Sequence, residues 1–311
     1  MKKVLITGGA GYLGSTTAEY LLSKGYAVTV LDSLLYKQLS LLHLFKHKNF
    51  KFIKGDVRDE SLLQSLVAAH DTIIPLAAIV GMPACKENPQ LTIDVNYKQV
   101  ANIATVLSSD QQLIIPNTNS QYGSSDTIIT EESPFNPLSL YAQTKCDAED
   151  TVLDKNGIAL RLATVFGVSP RMRQDLLVND FVYKSVVDGY LVLFEAHFKR
   201  NYIHVQDIAR TFEFMIDNYN TAKGQAYNVG LSTANLSKLE LAEKIKEHLP
   251  ELVIKQDEFK QDFDKRNYIV SNEKIESLGW APMYDLDYGI KQLMDAYSMV
   301  ITHNNRSFTN L

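Results

Sequence analysis

The sequence has little cysteine. Among its 311 residues are two, Cys85 and Cys146, which stand far apart and outside any disulfide or metal-ligand spacing. The seven histidines are scattered and lack the two-histidine helical spacing of a metal site. The sequence therefore predicts neither a disulfide framework nor a bound metal, and its use of cysteine suits a reducing compartment.

Long apolar runs are also missing. No apolar stretch reaches the roughly 18 residues of a membrane span. The chain starts with a short strand-like segment, 3–7, rather than with a cleavable apolar signal. We expect a soluble, cytoplasmic protein without a membrane partner.

Charge of one sign is not concentrated anywhere. The 31 basic and 36 acidic side chains give a formal net charge of -5 and are spread along the chain. Because no basic stripe of the kind that follows nucleic-acid phosphates is visible, nucleic acid is not expected as a partner.

Short β-branched runs alternate with helical stretches in the first half of the chain. These runs are 4–7, 27–31, 50–54, 72–75, 113–116 and 158–162. Most are apolar at successive positions, as strands are when helices cover both faces of a parallel sheet. The pattern predicts an α/β fold with a doubly wound, Rossmann-like parallel sheet.

Beyond about residue 165 the pattern changes to shorter, more polar pieces. Helical patterns lie near 178–187, 207–219 and 237–248. We expect a dinucleotide-binding domain over 1–165 and a smaller C-terminal α/β lobe over 166–311 that binds substrate. Some strands and helices of that lobe should return to the first domain.

Three glycines at a spacing of three follow the first predicted strand. Gly8 permits a tight turn, Gly11 allows the backbone to approach a pyrophosphate, and Gly14 lets the helix pack on the strand. Tyr12 and Leu13 open the helix, whose N-terminal amides and dipole favour an anion. The segment therefore predicts dinucleotide binding.

Acidic residues follow the next two predicted strands. Asp32 stands where a carboxylate accepts hydrogen bonds from an adenosine ribose, and Asp56 follows the third strand. Since a carboxylate repels a ribose phosphate, NAD is favoured over NADP, although Lys37 nearby leaves NADP open.

Tyr141 and Lys145 lie one helical turn apart, so both project from the same face. A phenol with a pKa near 10 is a poor base, and we expect the Lys145 ammonium to lower the pKa of Tyr141. Such a pair on its own is usually a solvated helix face. Here Thr118 follows a strand at the ligand-binding edge of the sheet, where it can hydrogen-bond a reacting hydroxyl.

Together these residues resemble the extended short-chain dehydrogenases/reductases that act on nucleotide sugars. The resemblance spans nearly the whole chain. It includes the glycine turn, Asp32, Asp56-Val57, Leu76-Ala77-Ala78, 118–123, Tyr141 and Lys145, 161–167, 201–207, 227–230 and 278–280.

The resemblance implies roles for individual residues. Tyr141 would remove the proton of a sugar hydroxyl, Lys145 would also hold the nicotinamide ribose, and Thr118 would align the hydroxyl for hydride transfer to NAD. Cofactor contacts are implied for Gly8, Gly11, Tyr12, Leu13, Gly14, Asp32, Asp56, Val57, Leu76, Ala77, Ala78, Tyr141 and Lys145.

Substrate contacts are implied for a second group of residues. Asn179, Arg200 and Arg266 would bind the nucleotide diphosphate, since guanidinium groups suit phosphate oxygens. Arg171 and Arg173 would contact phosphate or sugar, with helix capping as the alternative.

Departures from the family narrow the reaction. Sugar 4,6-dehydratases carry an acidic pair after the catalytic hydroxyl, whereas this chain has the candidate substrate contacts Asn119 and Ser120 there. The 3,5-epimerases place a cysteine in that strip, and this chain has none. Simple oxidation remains, or oxidation followed by re-reduction, which is a 4-epimerase.

The amino-acid sequences of segments 116–120, 161–173 and 197–202 resemble those of the GDP-manno-heptose 4-dehydrogenases of bacterial capsule pathways. The implied reaction is NAD-dependent oxidation of the heptose C4 hydroxyl, with 2-oxoglutarate re-oxidising NADH. A nucleotide-sugar 4-epimerase is the alternative, and a non-catalytic dinucleotide sensor is a remote one. The family implies a homodimer or a higher homo-oligomer.

Overall fold

The computed structural model describes residues 1–257 and 266–301. The strands are β1 Lys3–Thr7, β2 Ala27–Asp32, β3 Phe50–Lys54, β4 Thr72–Pro75, β5 Gln112–Thr118, β6 Ile128–Ile129, β7 Ile158–Leu162, β8 Thr164–Phe166, β9 Tyr190–Phe194, β10 Lys199–His204, β11 Gln225–Val229, β12 Asn235–Ser237, β13 Val253–Asp257 and β14 Ile269–Val270. The α-helices are α1 Tyr12–Ser23, α2 Glu60–Ala68, α3 Met82–Glu87, α4 Pro89–Ile93, α5 Gln99–Val106, α6 Leu140–Leu153, α7 Leu177–Val187, α8 Val205–Asp217, α9 Tyr219–Ala222, α10 Lys238–His248, α11 Glu273–Glu276 and α12 Leu286–Ile301. Two 3-10 turns, Leu42–Lys46 and Asn119–Tyr122, and one π-helical turn, Asp94–Lys98, complete the helical segments.

Seven strands form one parallel sheet in the order β11-β7-β5-β4-β1-β2-β3. The chain order reverses between β1 and β4, which creates a crevice at the carboxyl ends of these two strands. β4 and β5 pair through Thr72 with Gln112 and Ile73 with Leu113. Beyond Leu113, β5 pairs with β7 alone. One side of β5 is therefore unpaired there, as in an edge strand, and such a position tolerates Pro116, which has no amide hydrogen to donate.

Both faces of the large sheet are buried. Val4 and Ile6 of β1 belong to one apolar cluster, and Leu5 between them belongs to another. On the first face α1 packs on α8, and on the second face α5 packs on α2 and α6. Burial on both faces explains why these strands are apolar at successive positions.

Smaller sheets are built mainly from the second half of the chain. β10 pairs in parallel with β8 and antiparallel with β12. β9 pairs with β13, and β6 pairs with β14, both in parallel. α12 packs on α7, α10 and β10.

The predicted α/β fold with a doubly wound parallel sheet is confirmed. β11 and α8 come from beyond residue 165 yet lie in the large sheet and its helical layer. The division into 1–165 and 166–311 stays a prediction. Among the described helices, none is long and apolar enough to cross a membrane.

Candidate active site

The glycine turn between β1 and α1 lies in the crevice where the strand order reverses. A methyl group on Gly8, whose φ is +67°, would lie 2.5 Å from the backbone of Ala77, which follows β4. A methyl group on Gly14 would lie 2.5 Å from the carbonyl oxygen of Gly8. α1 begins at Tyr12 without a side-chain cap, so no capping group blocks its first amides from an anionic ligand.

Asp32 is held in place by backbone amides at the end of β2. Its Oδ2 accepts from the Ala10 amide at 2.9 Å, and its Oδ1 accepts from the Leu34 amide at 2.8 Å. Burial raises the pKa of Asp32, and these two hydrogen bonds oppose that rise. The carboxylate is thus oriented before any ligand binds.

Asp56 lines the same cleft and forms an ion pair with Arg58. Arg58 Nε donates to Asp56 Oδ1 at 3.0 Å, and Arg58 Nη2 donates to Oδ2 at 2.7 Å. This pairing lowers the pKa of Asp56. Arg58 also lines the cleft, and the sequence analysis did not identify it.

The candidate catalytic residues come from β5 and α6. Thr118 ends β5, while α6 carries Tyr141 and Lys145 one turn apart. The α6 N-cap, Ser139, accepts from the Ala142 amide at 3.2 Å, which fixes the start of this helix. Thr118 and Tyr141 line the cleft, whereas Lys145 lies behind them and is 6% exposed.

The electrostatics of the pair differ from the sequence-based expectation. Burial raises the pKa of Tyr141 to about 12 and lowers that of Lys145 to about 8. The charges that oppose the rise at Tyr141 are those of Arg266 and Arg173. The expectation that Lys145 lowers the pKa of Tyr141 is therefore wrong for this structure, because Lys145 is itself desolvated and its Nζ donates to the Pro116 carbonyl at 3.0 Å.

Ser120 links the Thr118 hydroxyl to a cation. Thr118 Oγ1 donates to Ser120 Oγ at 3.0 Å and accepts from the Ser120 amide at 3.1 Å. Arg266 Nη1 also donates to Ser120 Oγ. The proton of the Thr118 hydroxyl is therefore engaged, which leaves its oxygen as an acceptor for the hydroxyl of a ligand.

A buried polar network behind the catalytic residues was not found from the sequence. Arg161 Nη2 and Nε donate to Glu149 Oε1 at 2.5 and 3.0 Å, and Arg161 Nη1 donates to the Tyr122 hydroxyl at 2.7 Å. Asn117 Nδ2 donates to Glu149 Oε2 at 2.5 Å and to the Lys145 carbonyl at 3.1 Å. The network ties α6 to β5 and β7. One signal was available, since Glu149 lies four residues after Lys145 on the same helix face.

Four arginines line the cleft, where their charges would suit an anionic ligand. They are Arg171, Arg173, Arg200 and Arg266. Arg173 is paired with Asp175 through contacts of 2.5 and 2.7 Å, and Arg200 is 2% exposed with its guanidinium 5.5 Å from the Tyr268 ring.

Sequence reasoning missed Asp175 and Lys238, both of which line the cleft. Lys238 is buried, and its Nζ donates to the Phe194 carbonyl at 2.9 Å. A lysine at the start of a helix gives no local signal that its side chain reaches a cleft.

Asn179 and Asn119 do not line the cleft. Asn179 is fully buried, its Oδ1 accepts from the Gly167 amide at 3.0 Å, and its Nδ2 donates to the Arg173 carbonyl at 2.8 Å. It therefore holds the loop after β8 rather than facing a diphosphate. Asn119 is 1% exposed beside Thr118.

The cleft brings together the predicted site residues other than Lys145, Asn119 and Asn179. It has a volume of about 1000 Å³, at the upper end of ordinary ligand sites. Its lining includes Gly8, Gly11, Tyr12, Leu13, Gly14, Asp32, Asp56, Val57, Leu76, Ala77, Ala78, Ser120, Tyr141 and the four arginines.

These residues fit a dinucleotide. The cradle at Gly8 and Gly14 is one that a Cβ would fill, and the oriented Asp32 carboxylate lies at the end of the neighbouring strand. Within residues 1–257 and 266–301, no group of three or more His, Cys, Asp or Glu side chains could hold a metal ion.

Comparison with known proteins agrees with this geometry. The model of the NAD dependent epimerase/dehydratase family matches residues 4–230. A low-salt glycan biosynthesis protein, Agl12, from Haloferax volcanii is 29% identical over 309 residues, which cover 94% of this chain and 98% of that protein.

Solved structures share the fold. The dTDP-glucose 4,6-dehydratase of Bacillus anthracis, in complex with NAD, superposes with a TM-score of 0.82 at 23% identity and 99% coverage of both chains. The UDP-glucuronic acid 4-epimerase of Bacillus cereus, in complex with UDP-glucuronic acid and NAD, gives a TM-score of 0.84 at 22% identity, with 96% of this chain and 99% of that chain covered.

Proposed function

Because this chain belongs to the NAD dependent epimerase/dehydratase family, with NAD as its cofactor, we propose that it oxidises a nucleotide sugar at C4. The substrate in this proposal is a GDP-linked manno-heptose, and the product is its 4-keto sugar, made for a surface or capsule polysaccharide. The observation that carries the proposal is that Thr118 and Tyr141 both line the cleft, while the buried Lys145, one turn after Tyr141, donates to the Pro116 carbonyl of β5.

Thr118 and Tyr141 each have a task in the oxidation. Thr118 Oγ1 accepts a hydrogen bond from the C4 hydroxyl, because its own proton is engaged with Ser120. Tyr141 takes the hydroxyl proton, and the positive charges of Arg266 and Arg173 stabilise the phenolate that this step requires. Bound NAD supplies the acceptor for the hydride that leaves C4.

The groups beside Thr118 support oxidation over dehydration. Elimination of water needs an additional acid and base, and the two positions after Thr118 carry Asn119 and Ser120, which have no carboxylate. Asp175 does line the cleft, but it is held in a bidentate pair with Arg173.

Arg173, Arg200 and Arg266 all line the cleft, which supports a diphosphate-bearing substrate. The choice of GDP-manno-heptose rests on the resemblance of 116–120, 161–173 and 197–202 to the 4-dehydrogenases of that sugar. We further propose that 2-oxoglutarate re-oxidises NADH and is reduced to the 2-hydroxy acid.

The second candidate is a nucleotide-sugar 4-epimerase, which would return the hydride to the other face of the ketone. This candidate is supported by the fold that the chain shares with the Bacillus cereus UDP-glucuronic acid 4-epimerase. The presence of Thr118, Tyr141 and Lys145 together argues against a non-catalytic sensor, which needs no acid/base pair.

Tyr141→Phe tests the catalytic assignment. We expect it to reduce oxidation by at least 10²-fold, because it removes the general base, while NAD binding stays intact. The exposed Tyr190→Phe on β9 is the matched control and should retain full turnover. Rates are measured as NADH formation with GDP-manno-heptose. Unchanged turnover in Tyr141→Phe would show that the assignment is wrong.

A further inference from the structure

Two loops flank the glycine turn and are anchored to it. The loop 33–40 follows β2, and its Ser40 hydroxyl donates to the Ala10 carbonyl at 2.7 Å. The loop 167–176 follows β8, and its Ser169 hydroxyl donates to the Tyr12 carbonyl at 2.8 Å. Because the anchors are two residues apart, on Ala10 and Tyr12, both loops lie beside the start of α1 at this end of the cleft.

One side-chain pair joins these two loops. The Arg171 guanidinium carbon lies 5.5 Å from the centroid of the Tyr36 ring, within the range of a cation–π contact. Both side chains line the cleft. Arg171 is 7% exposed, whereas Tyr36 is 37% exposed, so the tyrosine is the outer member of the pair.

The backbone around Tyr36 is held in an unfavourable conformation. Leu34 and Lys37 have φ values of 56° and 53°, in the left-handed region that side-chain-bearing residues rarely adopt. Such strain persists where the surroundings enforce it, and it clusters at ligand-binding sites. Here the Leu34 amide donates to Asp32, so the carboxylate of the cofactor site enforces the turn that presents Tyr36.

The same loop carries an acceptor that indicates a ligand. Gln38 lines the cleft, and its Oε1 is buried without a hydrogen-bond partner among the described residues. Its Nε2 lies 3.5 Å from Asp32 Oδ1. A buried carbonyl oxygen without a donor is costly, and the hydroxyl or amino groups of an adenosine would supply one.

We propose that Tyr36 and Arg171 form a clasp that retains the bound dinucleotide. Release of NAD or NADH then requires the pair to separate, which slows cofactor exchange between turnovers. In this proposal Arg171 serves the cofactor rather than the substrate phosphate that the sequence resemblance implies. The clasp does not depend on which nucleotide sugar is oxidised.

The release rate of NADH tests the clasp without any sugar substrate. Protein loaded with NADH is mixed with excess NAD, and the loss of bound-NADH fluorescence gives the rate. We expect Tyr36→Ala to release NADH about tenfold faster than the wild type. Tyr36→Phe keeps the ring and should release NADH at the wild-type rate. A wild-type rate in Tyr36→Ala, or equal acceleration in both variants, would overturn the proposal.

Arg171 variants test the pairing. Arg171→Ala should accelerate NADH release, and Tyr36→Ala/Arg171→Ala should be no faster than the faster single variant, because both remove one contact. Independent, multiplicative effects would contradict the clasp. So would an Arg171→Ala protein, folded by circular dichroism, that loses affinity for the nucleotide sugar while its NADH release is unchanged.

Discussion

Burial of the Lys145 ammonium at its catalytic position lowers the stability of the folded protein. Its pKa falls from 10.5 to about 8, because the ammonium is desolvated between α6 and β5. Between these two values the unfolded chain holds one more proton than the folded chain, so the stability of the folded state rises with pH in that window. Below about pH 8 the full penalty is present, and it amounts to about 3 kcal/mol.

Lys145→Met should therefore stabilise the cofactor-free protein while abolishing oxidation. After the loss of the hydrogen bond to Pro116, we expect a net gain of about 2 kcal/mol near pH 7. The gain should shrink toward pH 10, where the wild-type lysine is neutral in the folded state. Urea unfolding at both pH values measures it, and a gain independent of pH would contradict the desolvation account.

Arg266 adds positive charge beside Tyr141, and its removal should shift the pH dependence of oxidation. Its charge opposes the rise in the pKa of Tyr141. In Arg266→Met that pKa should rise further, so the increase of kcat/KM with pH should move to higher pH. Lys244→Met on α10, at a partly exposed position, is the charge-matched control. An Arg266→Met profile that falls in rate at every pH without shifting would assign Arg266 to binding alone.

At the level of elements, α6 depends on the ion pair beneath it. Glu149 and Arg161 are 1% and 6% exposed, and Arg161 also stacks on Phe135 with its guanidinium carbon 4.6 Å from the ring centroid. The pair connects α6 to β7, and Asn117 extends it to β5. The position of Tyr141 therefore depends on groups that do not touch the cleft.

Glu149→Ala should leave the Arg161 charge buried without its partner and cost about 3–5 kcal/mol of stability. The exposed Asp150→Ala, on the next position of α6, should change stability by less than about 0.5 kcal/mol. Denaturant unfolding of both variants gives the comparison. Equal effects would show that the buried network does not anchor the helix.

Site residues could be predicted from the sequence where the local backbone conformation limits the residue types allowed. Gly8, Gly14 and Asp32 could be found because a tight turn and a strand end limit the residue types allowed there. Asn179 could not be placed, because its surroundings depend on how the loop after β8 meets α1. The Tyr141 pKa was misjudged because burial, which the sequence does not give, outweighs the charge of a neighbour.

At the scale of the whole molecule, the cleft is formed by segments distant in the chain that are fixed to one another. The Tyr12 hydroxyl donates to the Gly167 carbonyl at 2.7 Å, and Ser15 Oγ lies 3.1 Å from Ser169 Oγ. Six of the seven strands in the large sheet could be predicted from alternating apolar runs. β11 as its seventh strand could not, because that pairing joins residues far apart in the sequence. The homo-oligomer stays a prediction.

The measurement that tests the central claim most directly is NADH absorbance on mixing the protein with GDP-manno-heptose, and separately with UDP- and dTDP-hexoses, each with and without 2-oxoglutarate. We predict that only the GDP-heptose yields NADH. Added 2-oxoglutarate should then re-oxidise this NADH to NAD, while a 4-keto sugar is released. If no NADH accumulates and a nucleotide sugar instead returns as its 4-epimer, the protein is an epimerase and the proposed oxidation is wrong.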